Sequence, residues 1–346
     1  MDLVIGADVG GTSTKVALAT TTGQLMAYET GPGGNIRSSP ADLGTTLRQT
    51  LGRALTGHAP SHVRASHLGV SGAGPAAVGT VTALCTSALQ AVGVSGPVEV
   101  RTDLDIAFAS AATGTTGLLL LAGTGAVACS VEDLVTVGRC DGTGWLLGDV
   151  GSAVWFGRRA LEAAAADLDG RGPATALTSL VLEHHGVDPL DDPRQGLVAA
   201  VYPRAVSEHG GLAPLVLTAA AAGDPVARQV VDEGIDALVR TAHAALTDTL
   251  GPGRLRTPRR PAELVLAGGL LTAPGPIRSE VGRRLAHDLD LDLAPGAVHD
   301  ALAPVVGALR LAVRAAGGPD LAPETLATLR TRVTSWTAAG EASPQT

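Results

Sequence analysis

Short apolar segments at the start of the chain predict a meander of three antiparallel strands. They cover residues 3–7, 15–19 and 25–29, and a glycine turn and a Thr-Thr-Thr-Gly turn separate them. Segments of this length between turn-forming residues are typical of strands. Leucines at positions 43, 47, 51 and 55 then recur every four residues, which predicts a helix over 40–55.

The same order of elements recurs later in the chain. Strands are predicted at 67–70 and 98–101, each followed by a helix, at 75–92 and 104–112. A strand at 117–122, a Gly-Thr-Gly turn and strands at 126–131 and 134–139 then repeat the opening meander. This repeat predicts an internal duplication of one fold unit. The remaining predicted elements are mostly helices over 152–250, a strand at 263–267, a helix at 275–288, a strand around 291–293 and a helix at 304–316.

The length of 346 residues favours two domains, because single cores rarely grow beyond ~250 to 300 residues. We expect an α/β protein with mixed sheets and packed helices. The first domain is predicted over 1–114, completed by the helix at 304–316, and a larger second domain over 115–303. Residues 337–346 are predicted to form a flexible tail.

Composition narrows the class of partner. The chain has 25 basic and 33 acidic residues, which argues against a surface that binds nucleic acid or anionic lipid and favours a small-molecule partner. Its three cysteines lack CxxC spacing, so the sequence indicates neither a disulfide framework nor a zinc or iron–sulfur site. With neither a signal segment nor a stretch long enough to span a bilayer, a cytoplasmic protein is expected.

The glycine turn between the first two strands is the first candidate for chemistry. Its backbone N–H groups and hydroxyls can contact a phosphate, and a carboxylate just before it can hold hydrated Mg²⁺. A plain hairpin turn is the alternative. The candidate phosphate residues are Gly10, Gly11, Thr12, Ser13 and Lys15, with Asp8 as the candidate Mg²⁺ ligand through water. Asp8 is otherwise a turn-capping aspartate, and Lys15, the only lysine, otherwise an ordinary strand residue.

Two later features make the phosphate interpretation more specific. The turn Gly123-Thr124-Gly125 lies at the corresponding place in the second meander, as two turns that hold one nucleotide require. Asp103 ends a strand and precedes a helix, where a carboxylate can accept the proton of an attacking hydroxyl. The alternative for Asp103 is a helix N-cap, with Asp105 as its competitor for the catalytic role.

These motifs occur in one order: Asp8-x-Gly-Gly-Thr, Asp103, Ala122-Gly-Thr-Gly, Gly144-Trp-Leu-Leu-Gly-Asp-Val-Gly-Ser and Ala267-Gly-Gly-Leu. In this the chain resembles actin-like, hexokinase-type sugar kinases of the N-acetylglucosamine kinase branch (BadF/BadG ATPase-like), and most closely actinobacterial glucosamine kinases. The resemblance covers about residues 1 to 315. It implies duplicated actin-like (ribonuclease H-like) domains with an interdomain cleft, ATP and Mg²⁺ as cofactors, a sugar substrate and homodimers, which are common among relatives.

The resemblance also implies roles for particular residues. Asp103 matches the general base, and the two glycine turns match the motifs that bind ATP phosphates. The residues implied to contact adenosine are Gly223, Asp224, Gly268, Gly269 and Leu270. Asn35 and Asp149 match sugar-binding positions, and the nearby Asp141, Gly144 and Trp145 are further sugar candidates. For Trp145 core packing is the alternative, and for Asp149 helix capping, which Ser152 can also provide.

The sequence therefore predicts ATP-dependent phosphorylation of the 6-hydroxyl of an amino sugar. Asp103, Asp141 and Asp149 offer carboxylates to an ammonium group, and with the resemblance this favours D-glucosamine as the substrate. The alternatives are an N-acetylglucosamine kinase and a regulatory protein that binds sugar and ATP without transfer. An activase or chaperone-like ATPase is a further one.

Overall fold

A computed structural model describes residues 1–34, 40–74, 76–247, 261–288 and 297–341. The chain divides into two compact units. Unit 1 comprises Met1–Gly117, Val131–Thr136 and Ala301–Thr346, and unit 2 comprises Leu118–Ser130 and Val137–Asp300. Compared with the predicted domains, the short segment Val131–Thr136 joins the first unit together with the C-terminal part of the chain.

The described residues form strands and helices in the following order. The strands are β1 (Leu3–Val9), β2 (Ser13–Thr20), β3 (Leu25–Pro32), β4 (Val63–Val70), β5 (Val98–Thr102), β6 (Gly117–Ala122), β7 (Ala126–Glu132), β8 (Val135–Asp141), β9 (Leu264–Ala267) and β10 (Val298–Asp300). The helices are α1 (Pro40–Ala54), α2 (Val78–Ala91), α3 (Asp103–Ala111), α4 (Ala153–Leu168), α5 (Leu177–His185), α6 (Pro193–Val201), α7 (Ala213–Ala221), α8 (Pro225–Leu246), α9 (Gly269–Thr272), α10 (Pro276–Asp288), α11 (Pro304–Ala315) and α12 (Pro323–Glu341). Short 3₁₀ helices cover Pro60–His62 and Val206–Leu212.

Unit 1 is built on a mixed sheet with the strand order β3-β2-β1-β4-β5. The first three strands are antiparallel, while β4 and β5 run parallel to β1. The predicted leucine stripe of α1 is buried, with Leu43, Leu47 and Leu51 fully inaccessible to solvent. They join a core with α2 and the sheet, and a second cluster joins the sheet to α11 and α12.

Unit 2 repeats this arrangement. Its sheet has the order β10-β9-β6-β7-β8, in which β9 pairs in parallel with β6 and β10. Read from β8, this is again three meander strands followed by two parallel strands, which confirms the predicted duplication. The unit's core combines the sheet with helices from α4 to α10.

The described elements differ from the predicted ones mainly at their ends. The strand β10 was not predicted, because three residues are too few for a periodic pattern, and the predicted strand at 291–293 lies outside the described residues. The helix α12 runs for 19 residues to Glu341, into the segment predicted as a tail. Within the described ranges, no single helix combines the length and hydropathy needed to cross a membrane; only a bent pair, Val206–Ala221 with Pro225–Leu246, meets that test together.

Candidate active site

The first glycine turn lies in unit 1 between β1 and β2, and a second pair of glycines packs against it. Gly10 N–H donates to the Ser13 carbonyl at 2.9 Å, and Gly34 N–H donates to the Gly10 carbonyl at 3.1 Å. A Cβ added to Gly33 would lie 2.1 Å from the Gly11 carbonyl oxygen. No role was assigned to Gly33 and Gly34 from the sequence, although two consecutive glycines after a strand are a signal of close backbone approach.

The outer side of this turn is open. Gly11 and Thr12 are exposed, and a Cβ added to Gly11 would meet no atom within 4 Å. Gly11 also has a φ outside the left-handed region. The protein therefore imposes no steric need for glycine at position 11, and the space beside it is available to a ligand.

Asp8 points from the end of β1 into a largely buried position next to this turn. Its side chain is 13% exposed, and its Oδ2 lies 3.5 Å from Nζ of Lys15, the residue opposite it in the β1–β2 register. Burial raises the pKa of Asp8, the charge of Lys15 opposes this, and the charge of Asp103 raises the pKa further. Two carboxylates thus interact beside the turn, with one ammonium group as partial compensation.

Asp103 lies at the same edge of the sheet as Asp8. Val9, Val70 and Thr102 stand in register at the ends of the parallel strands β1, β4 and β5, and Asp103 follows Thr102 directly. Asp103 is the first residue of α3, and the N-cap is Thr102. The alternative role of Asp103 as a helix N-cap is therefore wrong.

Asp105, the competing carboxylate, has a different environment. It is buried at 5% exposure. Its Oδ1 accepts a hydrogen bond from Thr136 N–H at 2.8 Å, and its Oδ2 accepts one from the Thr102 hydroxyl at 3.0 Å. Asp105 therefore fixes the start of α3 to the segment Val131–Thr136, which leaves Asp103 as the better candidate base.

The second glycine turn, Gly123–Gly125 of unit 2, lies against Asp149. A Cβ added to Gly125 would lie 3.1 Å from Asp149 Oδ2. Burial raises the pKa of Asp149, although hydrogen bonds with the backbone of Ala126 and Gly144 lower it. The cap of α4 is Ser152, whose hydroxyl accepts from Trp155 N–H at 3.1 Å, so Asp149 does not cap this helix.

Asp141 folds the loop that carries Gly144 and Trp145. Its Oδ1 accepts from Asp149 N–H at 2.7 Å, and its Oδ2 accepts from Val150 N–H at 3.1 Å. This structural role was not predicted for Asp141. Because both carboxylate oxygens already accept backbone hydrogen bonds, Asp141 is a weaker partner for an ammonium group than the sequence interpretation assumed.

Trp145 lies on the surface of unit 2. Trp145 is 44% exposed, and the following Leu146 and Leu147 are 73% and 82% exposed. The Arg158 guanidinium lies 5.4 Å from the Trp145 ring centroid and donates to the Trp145 carbonyl at 2.8 Å. Core packing, the alternative considered for Trp145, is therefore wrong.

The predicted adenosine motif after β9 packs on the second glycine turn. Gly268 has φ +81°, and a Cβ there would lie 2.4 Å from the Ala122 carbonyl oxygen and 2.8 Å from Gly123 N. Gly269 has open space around it. Leu270 packs against the core of unit 2.

Asp224, by contrast, caps helices. Its carboxylate accepts from Ala227 N–H at 2.8 Å as the N-cap of α8, and from Thr175 Oγ1 at 3.0 Å and Ala176 N–H at 2.7 Å. Burial opposes ionisation of Asp224, but these hydrogen bonds outweigh it and lower the pKa. Gly223 before it has φ +101°. These two residues thus have a structural explanation, and the predicted Asn35 lies outside the described residues.

The structure therefore forms two groups of predicted residues. In unit 1 the first glycine turn, Asp8, Lys15 and Asp103 lie together. In unit 2 the second glycine turn, Asp149, Asp141 with its loop, and Gly268 lie together. No group of three or more His, Cys, Asp or Glu side chains suited to a metal occurs within the described ranges.

Comparison with known proteins identifies the family of this chain. The sequence profile of the BadF/BadG/BcrA/BcrD ATPase family matches residues 5–312. The chain belongs to this ATPase family. Membership confirms the recognition made from the sequence motifs.

Two sequence relatives of this family member carry sugar kinase names. The N-acetylmuramic acid/N-acetylglucosamine kinase of Clostridium acetobutylicum is 26% identical over 252 residues, which are 71% of this chain and 80% of the relative. The N-acetyl-D-glucosamine kinase of Dictyostelium discoideum is 25% identical over 249 residues, 68% of this chain and 77% of the relative.

Solved structures confirm the fold. A Chromobacterium violaceum protein, provisionally assigned as an N-acetylglucosamine kinase, superposes with a TM-score of 0.66 at 24% identity, over 90% of this chain and 99% of that chain. The ROK hexokinase of Thermus thermophilus gives a TM-score of 0.56 at 17% identity, over 90% and 97%. The predicted duplicated actin-like ATPase fold is thereby confirmed.

Proposed function

We propose that the protein transfers the γ-phosphate of ATP to the 6-hydroxyl of an N-acetylated amino sugar, with N-acetylglucosamine as the first candidate. The observation that carries the proposal is the pair of carboxylates, Asp8 and Asp103, at one edge of the unit 1 sheet beside an open glycine turn. The names of the two sequence relatives support the sugar and the reaction class.

Asp103 is proposed as the base that accepts the proton of the attacking hydroxyl. A carboxylate held at the start of a buried helix is well suited to orient that hydroxyl, and orientation is a large part of the barrier in phosphoryl transfer. Asp105 cannot take this role without breaking its hydrogen bonds to Thr136 and Thr102.

The phosphates of ATP are assigned to the two glycine turns. In unit 1 the N–H groups of Gly10 and Gly11 and the hydroxyls of Thr12 and Ser13 would bind phosphate oxygens, and the Lys15 ammonium would screen their charge. In unit 2 the turn Gly123–Gly125 is assigned the same role, with Gly268–Leu270 next to adenosine. Asp224 has no assigned contact to nucleotide, since its carboxylate is committed to helix caps.

The residues around Asp8 fit a bound Mg²⁺. Asp8 and Asp103 are carboxylates, the hard oxygen donors that Mg²⁺ prefers. Burial raises the pKa of Asp8 most, and repulsion from the charge of Asp103 raises it further. A cation bound between phosphate and carboxylate would relieve this repulsion. Few protein ligands are needed, because Mg²⁺ in such sites keeps waters and binds substrate phosphates. When bound, the ion would neutralise charge that develops on the transferred phosphate.

The proposed substrate differs from D-glucosamine, the substrate that the sequence analysis favoured. That preference counted Asp141 and Asp149 as carboxylates for an ammonium group, but both interact with backbone in their own loop. The relatives are named for N-acetylated sugars, which favours the alternative of an N-acetylglucosamine kinase. Asp149, Gly144 and Trp145 remain proposed sugar contacts.

A panel of sugars tests the proposal. ADP formation from ATP and Mg²⁺ is measured with N-acetylglucosamine, N-acetylmuramic acid, glucosamine and glucose. We expect the highest kcat/KM with an N-acetylated sugar and loss of turnover in Asp103→Asn, while the surface variant Glu324→Gln matches the wild type. Sugar-independent ATP hydrolysis would instead support an activase-like ATPase, and binding of sugar and ATP without transfer would support a regulatory protein.

A further inference from the structure

Arg310 is the largest fully buried side chain of unit 1 and uses every N–H group of its guanidinium. It lies on α11 with no solvent exposure. Nε donates to Asp320 Oδ1 and Nη2 to Asp320 Oδ2, each at 2.7 Å. Nη1 donates to the carbonyls of Ala109 at 3.3 Å and Ala112 at 2.7 Å, and Nη2 donates to the Gly114 carbonyl at 3.1 Å. Five donors therefore have five partners, the full capacity of an arginine.

Three of these partners are carbonyls at the carboxyl end of α3, the helix that begins with Asp103. The last carbonyls of a helix lack partners within the helix, and a cation near them is favourable. Arg310 fills this need at Ala109 and at the residues that follow the helix. A second arginine, Arg330 of α12, donates from Nη1 to the Ser110 carbonyl at 2.8 Å. Two buried or half-buried cations from the C-terminal helices thus hold the end of α3.

Gly307 of α11 allows close backbone packing between α11 and α3. A Cβ added to Gly307 would lie 1.9 Å from the Ile106 carbonyl oxygen and 2.6 Å from Ser110 N. Gly307 and Arg310 are three residues apart and share a face of α11. The backbones of α11 and α3 therefore touch, and α3 has no room to shift towards α11.

We propose that Arg310 is a positioning residue, which contributes to the placement of Asp103 by holding the carboxyl end of α3 while Asp105 fixes the helix start. The proposal rests on the assignment of Asp103 as the base. The helix α3 has nine residues, so it is about 13.5 Å long at 1.5 Å per residue and moves as one body. A displacement of its carboxyl end is passed to its first residue, and phosphoryl transfer is sensitive to displacements well below 1 Å.

The deciding substitution is Arg310→Lys, which keeps the charge and loses the planar fork. A lysine has three donors and cannot bind Asp320 in a bidentate manner while contacting three carbonyls. We expect kcat to fall at least tenfold, with the KM for ATP within twofold of the wild type. Arg314→Lys is the matched control, because Arg314 lies about one turn later on α11, is 31% exposed and donates to Asp133 at 2.7 Å, while its ion pair with Asp320 is long at 3.9 Å. This control is expected to keep kcat within twofold.

Hydrogen–deuterium exchange gives a readout that does not depend on the sugar. Arg310→Lys should speed exchange in peptides over 103–114 by at least fivefold, whereas Arg314→Lys should leave them unchanged. If the wild type phosphorylates no sugar, the proposed function fails, and exchange in α3 still decides whether Arg310 holds this helix.

Three results would overturn the positioning role. One is a folded Arg310→Lys protein with wild-type kcat, and another is unchanged exchange over 103–114. The third is an Arg310→Lys protein in which kcat and ATP affinity fall equally and the melting temperature also falls, which would indicate general destabilisation. If Arg310→Lys does not fold, Asp320→Asn decides, because it leaves the three carbonyl contacts and removes one charged partner. A graded loss of kcat is then expected, and an unchanged kcat counts against the proposal.

Discussion

Gly11 offers a clean test of the phosphate assignment, because the protein itself does not require glycine there. In Gly11→Ala the added methyl group meets no protein atom within 4 Å, and the backbone conformation is open to alanine. Stability should be unchanged or rise by about 0.4–1 kcal/mol, since alanine restricts the unfolded chain. Any loss of function therefore reports on the space outside the turn.

The size of that loss follows from the contacts that a phosphate would make. A hydrogen bond to a charged group contributes about 1.5–3 kcal/mol, and a methyl group on the open side of the turn displaces at least one such bond. Since 1.4 kcal/mol corresponds to a factor of ten, we expect kcat/KM for ATP to fall by about 10- to 150-fold. The kcat/KM for the sugar at saturating ATP should change far less.

Two further glycine variants complete the experiment. Gly52→Ala in α1 makes the same chemical change at an exposed site with open space, and it should keep the wild-type kcat/KM with equal or higher stability. Gly33→Ala places its Cβ 2.1 Å from the Gly11 carbonyl oxygen, so it should lose both stability and ATP affinity. Steady-state ADP release and thermal unfolding measure both properties. A Gly11→Ala protein with wild-type kcat/KM for ATP would refute the phosphate role of this turn.

Three other predictions concern Lys15, Asp141 and His67. Lys15 is the only lysine of the sequence, so acetylation of its amine can be followed by mass spectrometry. ATP with Mg²⁺ should slow this acetylation several-fold, whereas AMP should not. Equal protection by ATP and AMP would show that Lys15 does not contact the phosphates. Asp141→Ala leaves Asp149 N–H and Val150 N–H without an acceptor, so the free energy of unfolding should fall by about 1–3 kcal/mol and the KM for the sugar should rise more than that for ATP. Burial, with Arg101 nearby, lowers the pKa of His67 to about 3, below its unfolded value of 6.5. The unfolded chain therefore binds one more proton than the folded chain between these values, and stability falls as the pH is lowered from 6.5, by about 2 kcal/mol at pH 5. Urea unfolding of His67→Leu should show a shallower loss between pH 6.5 and 5 than the wild type; an identical slope would contradict this.

The sequence predicted the repeated meanders well, since their elements depend on local patterns. Apolar runs of strand length and glycine turns are local signals, and both sheets contain them in the same order. The four-residue spacing of leucines in α1 likewise corresponds to a buried helix face. The three-residue strand β10 carries no such pattern and was missed.

Roles that depend on partners far away in the chain could not be predicted from the sequence. The choice between Asp103 and Asp105 rests on Thr136, which lies 31 residues from Asp105. Arg310 contacts carbonyls about 200 residues earlier in the chain. Asp141 was read as a ligand for an ammonium group because nothing local shows that its oxygens accept hydrogen bonds from Asp149 and Val150.

One measurement tests most directly the proposal that Asp103 serves as the base of a sugar kinase. ADP release with saturating ATP, Mg²⁺ and N-acetylglucosamine is compared between the wild type and Asp103→Asn, with sugar binding followed separately by calorimetry. A positioned general base contributes about 10²- to 10⁴-fold, so turnover should fall by at least 100-fold while the sugar still binds. Turnover within threefold of the wild type in a folded Asp103→Asn protein would contradict the account.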